Sequence, residues 1–158
     1  PEAMTRPLSV LLVEDDDPLR NVLLELLRRR GFVVHATARG DEAVELARRV
    51  EIDFSLLDLR LPGLNGMEVF RRIAQDVRPL PAILMSGEAT VEEAQQALEL
   101  GIVEFLRKPL DLDVLRHTLD ELVRRHLTRS STRLPVRLED IELIRWIYTR
   151  RRSPPPGS

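Results

Sequence analysis

The sequence predicts an α/β protein built on a doubly wound sheet of five parallel strands, with helices on both faces. Three observations predict it. Short apolar runs of strand length alternate five times with segments whose apolar residues recur at helical spacing. The connections between them are short, so each strand returns to the sheet through a right-handed crossover. The polar residues able to carry chemistry fall just after the apolar runs, at the carboxyl edge where open parallel sheets hold their ligands.

Leu8 to Val13 is the first apolar run, and Glu14-Asp15-Asp16-Asp17 follows it at once. Asp17-Pro18 reads as N-cap and first helical position. Leu19, Val22, Leu23, Leu26 and Leu27 carry the helix to a stop at Gly31. Phe32 to Ala36 is the second strand. Asp41 to Val50 is a helix with Ala43, Val44, Leu46, Ala47 and Val50 inward.

The third strand ends at Asp58. The next helix runs from Met67 to about Asp76 through Val69, Phe70 and Ile73. Pro79 and Pro81 bracket the entry to the fourth strand, Ala82 to Met85, which is closed by Ser86-Gly87. Val91 to Leu100 is a helix with a thin inner face of Val91, Ala94, Ala97 and Leu98, and Gly101 stops it. Val103 to Leu106 is the fifth strand, followed by Lys108-Pro109. A last helix from Asp111 to about Thr128 carries Val114, Leu115, Thr118, Leu119, Leu122, Val123 and Leu127 on one stripe.

Composition narrows the function. The chain is 43% hydrophobic and 32% charged over 158 residues, as in a globular protein with one domain and an appendage. No apolar run nears the roughly 20 residues that cross a bilayer, and no signal-peptide pattern precedes the first strand, so a cytoplasmic location is expected. Zero cysteines exclude a disulfide framework and a thiolate metal site. Residues 4–128 carry 17 basic and 22 acidic side chains, and an acidic body argues against nucleic-acid binding. Of the 24 basic residues only Lys108 is a lysine, which marks it for a task that wants a compact ammonium rather than a planar guanidinium.

The stretch from Asp53 to Gly66 organises the rest. Its apolar run ends in the carboxylate of Asp58, and a loop with Pro62, Gly63 and Gly66 follows. Glu14 and Asp15 follow the first strand, Ser86 the fourth and Lys108 the fifth, so all five residues can line one crevice. Clustered carboxylates repel one another, and an oxygen-seeking divalent cation neutralises them. An open site of few protein ligands suits Mg²⁺, which keeps waters and coordinates phosphate oxygens. A carboxylate beside Mg²⁺, a hydroxyl and an ammonium makes a phosphoryl-accepting site with Asp58 as nucleophile.

These residues resemble the receiver domain of two-component response regulators. The likeness rests on Val13-Glu14-Asp15-Asp16, on Leu57 to Gly66, on Met85-Ser86-Gly87 and on Phe105-Leu106-Arg107-Lys108-Pro109, in that order and each at a strand end. It covers about residues 7–128. It implies the flavodoxin-like strand order 2-1-3-4-5 and phosphorylation of Asp58 by a histidine kinase or phosphotransfer protein. Glu14 and Asp15 would be the acid pair, with Asp15, Asp58 and the backbone carbonyl of Arg60 around Mg²⁺. Three consecutive aspartates leave that register open by one, and Glu14-Asp15 are kept because they sit nearest the strand. Ser86 would be the switch hydroxyl, Phe105 the aromatic that follows it inward, and Lys108 the contact to phosphoryl oxygens, with a cis bond to Pro109. The family commonly has Asp at position 14 and Thr at position 86, where this chain has Glu and Ser. The resemblance implies a protein that catalyses only its own phosphorylation and dephosphorylation. The alternative on the same fold is an interaction module that works without phosphorylation.

Two rivals fit less well. A phosphatase of the haloacid dehalogenase type wants a second Asp two residues after its nucleophile, where this chain has Arg60. A flavodoxin-like cofactor protein needs a phosphate-binding first loop, and Glu14 to Asp17 would repel phosphate. His117 and His126 lie nine apart and form no metal spacing.

The remainder is divided as follows. Pro1–Ala3 reads as a cloning remnant, as does Gly157-Ser158. Residues 129–136 read as a linker and 151–158 as a disordered end. Residues 137–150 read as an extra amphipathic helix, with Leu138, Ile141, Ile144, Ile147 and Tyr148 on a stripe that Leu143 and Trp146 widen. Residues 129–158 hold seven Arg against Glu139, Asp140 and Glu142. A homodimer formed through this helix or through the face of the last receiver helix is expected, and the chain is either a single-domain regulator or a piece of a longer one.

Overall fold

The computed structural model describes residues 6–127. The residues expected to be remnants, a linker over 129–136, a helix over 137–150 and a disordered end over 151–158 lie outside the described residues. Five strands and five helices alternate along the described chain: β1 Ser9–Val13, α1 Asp17–Arg29, β2 Val33–Thr37, α2 Gly40–Arg49, β3 Phe54–Asp58, α3 Gly66–Asp76, β4 Ala82–Ser86, α4 Val91–Leu100, β5 Glu104–Arg107 and α5 Leu112–His126. They form one five-stranded sheet in the order β2-β1-β3-β4-β5, the order that the resemblance implied. The pairs of β1 with β2, β1 with β3 and β3 with β4 are parallel.

The chain divides after Met85 into two compact units. In the first, all five residues of β1 and of β3 are buried, as strands are when both faces are covered. Edge strand β2 is partly exposed, and Val33 keeps 43% of its surface. Phe54 of β3 meets Phe32 edge to face, with ring centres 5.3 Å apart. Helices α2 and α3 pack against each other, and Arg48 of α2 bonds Asp76 at the end of α3. At the amino end of the sheet Asp53 is held by three donors: Arg6 Nη1 at 2.8 Å, Arg6 Nη2 at 2.9 Å and the Ser9 N–H at 2.7 Å.

In the second unit, Thr90 and Glu93 close a capping box at the start of α4, and Gly101 ends the helix at φ +102°. Helix α4 buries only Ala94, Ala97 and Leu98. Helix α5 buries Leu115, Thr118, Leu119 and Leu122, while Val114, Val123 and Leu127 of its expected stripe are half-buried.

Several boundaries differ from the expected ones for identifiable reasons. The α1 cap is Asp16, not Asp17: its backbone is extended and its carboxylate accepts the Leu19 N–H, which makes Asp17 the first helical residue. Strand β2 starts at Val33 because the Phe32 N–H closes α1 by bonding the Leu27 carbonyl. Val22 and Val91, expected inward, are 48% and 39% exposed, each at the rim of its helix stripe.

Candidate functional site

Sheet register builds the first half of the site. β1 and β3 pair with Val13 opposite Leu57, so the next residues, Glu14 just past β1 and Asp58 at the last position of β3, stand side by side at the carboxyl edge. Glu14 is fully buried, Asp58 is 4% exposed, and Asp15 is exposed at the first loop position. One carboxylate oxygen from each of Glu14, Asp15 and Asp58 lies within 4.8 Å of the other two.

The β1–α1 loop is shaped by its own hydrogen bonds. Glu14 Oε2 accepts the Asp16 N–H at 3.1 Å, and Asp16 Oδ2 accepts the Leu19 N–H at 2.9 Å. Asp16 is thus committed to the helix cap, and the residues brought to Asp58 are Glu14 and Asp15. Arg20 reaches back from the first turn of α1, donating from Nη1 to the Glu14 carbonyl at 2.9 Å and from Nη2 to Asp17 Oδ1 at 2.6 Å.

The loop after Asp58 is clamped on two sides. Asp58 Oδ1 accepts the Arg60 N–H at 3.1 Å, which turns the chain back beneath the carboxylate. The Leu59 N–H bonds the Met85 carbonyl, and the Gly66 N–H bonds the Leu59 carbonyl. A β-carbon on Gly66 would stand 2.4 Å from the Asp58 carbonyl oxygen, and one on Gly40 would stand 2.0 Å from the Leu64 carbonyl oxygen. Only residues without a side chain fit at these two helix starts.

The second unit carries the other expected residues. Ser86, 2% exposed, ends β4, and its Oγ accepts the Glu88 N–H at 3.1 Å. The Lys108 N–H bonds the Ser86 carbonyl at 2.9 Å, which fixes the end of β5 beside the end of β4. The Lys108 side chain is half-buried, and Lys108–Pro109 is a cis peptide. Phe105 is 2% exposed.

As a donor set, three clustered carboxylates with one exposed member fit a hard divalent cation that retains waters, and offer nothing to a soft metal. Sequence reasoning identified the acids but missed what holds them. Arg20 was not singled out, although its spacing of three from Asp17 was the available signal. The steric role of Gly40 had no signal, because the carbonyl it faces lies 24 residues away in the chain.

The comparisons agree with this geometry. The family model described as the response regulator receiver domain matches residues 10–120. The cell cycle response regulator CtrA of Brucella ovis is 32% identical over 118 residues, 75% of this chain and 51% of that protein. This chain thus spans about half the length of the curated relatives it matches. Among solved structures, the non-phosphorylated HemR receiver domain from Leptospira biflexa is 33% identical with a TM-score of 0.71, over 80% of this chain and all of that one. The signal receiver domain of a modulated diguanylate cyclase from Desulfovibrio desulfuricans is 29% identical with a TM-score of 0.67, over 75% and 95% of the two chains. Fold, acid cluster and sequence lead to one assignment: the chain belongs to the response regulator receiver domain family.

Proposed function

We propose that this receiver takes a phosphoryl group from a histidine kinase or phosphotransfer protein onto Asp58 and changes conformation to control a partner or output. The observation that carries the proposal is the convergence of the Glu14, Asp15 and Asp58 carboxylates within 4.8 Å. In the step, an Asp58 carboxylate oxygen attacks phosphorus, the bond from phosphorus to the donor's histidine nitrogen breaks, and that nitrogen leaves with the electron pair. The product is an acyl phosphate on Asp58.

Glu14, Asp15, Asp58 and the Arg60 backbone carbonyl would hold Mg²⁺, which when bound neutralises charge on the acids and the transferred group. The Arg60 N–H bonded to Oδ1 orients the Asp58 carboxylate. Lys108 supplies a compact positive charge to phosphoryl oxygens, and the Ser86 hydroxyl, whose Oγ accepts the Glu88 N–H, donates its O–H to the new group. Phe105 is already buried, so its part in the switch is to repack in place rather than to follow Ser86 inward. Among the described residues no helix is long and apolar enough to cross a membrane, and we place the transfer in the cytoplasm. The stripe over 137–150 is proposed to seat on a second copy, its arginine-rich surroundings facing the acidic receiver body.

Incubation with acetyl phosphate and Mg²⁺ tests this reading. The wild-type protein should shift on a phosphate-affinity gel, and Asp58→Asn and Asp15→Asn should not. A shift that persists in Asp58→Asn would move the acceptor elsewhere. No shift in any of them, with partner binding intact, would favour the phosphorylation-independent module.

A further inference from the structure

The β1–α1 loop holds two acids in place beside a third, and that arrangement is electrostatically unfavourable without a cation. Something must keep the loop from relaxing away. The Glu14 side chain and the Asp16 cap are already part of the loop and cannot anchor it from outside. Arg20 can. Its backbone is seated in the first turn of α1 by an N–H bond to the Asp16 carbonyl at 2.8 Å, and its side chain is 21% exposed. Its two terminal nitrogens reach different acceptors, the Glu14 carbonyl on one side and the Asp17 carboxylate on the other. A guanidinium has the rigid fork this requires, whereas an ammonium is a point charge on a flexible stem and fixes neither acceptor in direction.

We infer that Arg20 is a positioning residue for the acid pair, a tether from α1 that presets Glu14 and Asp15 for the cation before it arrives. Asp17 orients Arg20 and acts through it. The inference rests on the metal reading above for its consequence but not for its structural content. A merely electrostatic Arg20 predicts the opposite sign. A cation close to a cation site opposes binding, so its removal would tighten Mg²⁺, whereas loss of a tether weakens it.

The full chain is compared as wild type, Arg20→Ala, Arg20→Lys and the surface control Glu25→Ala, by amide hydrogen exchange without metal and by Mg²⁺ titration calorimetry. In Arg20→Ala the Asp16 amide, bonded to Glu14 Oε2, should exchange at least about tenfold faster, while the Glu14 amide in the sheet ladder stays unchanged. Mg²⁺ affinity should fall by roughly tenfold, the usual loss when the outer support of a metal ligand is removed. Arg20→Lys should fall between wild type and Arg20→Ala, and it decides the matter if Arg20→Ala fails to fold. Unchanged Asp16 exchange, or Mg²⁺ bound as tightly as by wild type or more tightly, overturns the tether. If wild type itself takes up no Mg²⁺, the metal reading falls, and the exchange data alone still decide whether Arg20 holds the loop.

Discussion

The first helical residue of α3, Gly66, lies against the main chain of Asp58 so closely that a β-carbon would meet the Asp58 carbonyl oxygen at 2.4 Å. The neighbouring atom is backbone of a central strand and cannot swing aside. Gly66→Ala should therefore destabilise the protein by about 1–3 kcal/mol, the range for overpacking a filled interior. Gly40→Ala, at 2.0 Å from the Leu64 carbonyl, should cost at least as much. Gly87→Ala is the control: its β-carbon would make an ordinary 3.7 Å contact with Lys108, and the change should stay within about 0.5 kcal/mol. Urea denaturation of the three variants checks the ranking, and equal losses at all three would refute it.

Asp53 gives the fold a pH dependence. Burial pushes its carboxyl up, but the Arg6 and Ser9 hydrogen bonds, with the charges of Arg6 and Arg78, outweigh burial and hold it below the usual carboxylate range. A depressed folded pKa stabilises the protein above the unfolded value of about 4 and loses that contribution as pH falls through the folded one. Asp53→Ala should cost about 1–3 kcal/mol at pH 7, since it leaves the buried Ser9 N–H without its acceptor. The gap to wild type should be narrower at pH 3 than at pH 7. A constant gap across that range would show that the carboxylate charge is not what matters.

Helix α4 should respond most to a phosphoryl mimic. Its inner face is Ala94, Ala97 and Leu98, whereas α3 buries Met67, Val69, Phe70 and Ile73, and less apolar burial means a smaller free energy of opening. Hydrogen exchange with and without beryllofluoride measures this. The idea fails if α4 changes no more than α3.

Deleting residues 129–158 should abolish self-association. Left exposed, Ile141, Ile144, Ile147 and Trp146 would form an apolar patch of the kind soluble monomers avoid. Light scattering on the full chain and on a chain ending at Thr128 should give different masses. Identical masses would rule out dimerisation through this segment.

The parts of the fold legible in the sequence were those with a local pattern. Alternating strand and helix periods located all ten described elements, and α4 was read to its end residues from its apolar spacing and the stop at Gly101, the structure adding a capping box at its start. The acids were legible because they follow apolar runs. What the sequence hid was long-range. Nothing near Asp53 announces that Arg6, 47 residues earlier, will grip it with two hydrogen bonds. Nothing near Asp16 says which of three aspartates will cap α1, since each could adopt the extended backbone a cap needs, and the choice falls to the loop that links Glu14 to Leu19. Val22 was misplaced because a helix stripe has soft edges, and only the packed neighbours decide where burial stops.

Lys108 carries a practical consequence. It is the chain's only lysine, its main chain is pinned to the Ser86 carbonyl, and its side chain is only partly enclosed. Reductive methylation with isotopically labelled formaldehyde would therefore place one resolved side-chain NMR signal in this protein, apart from that of the chain's amino terminus. That signal would sit on the amine proposed to meet the phosphoryl group, giving a direct spectroscopic readout without a single substitution.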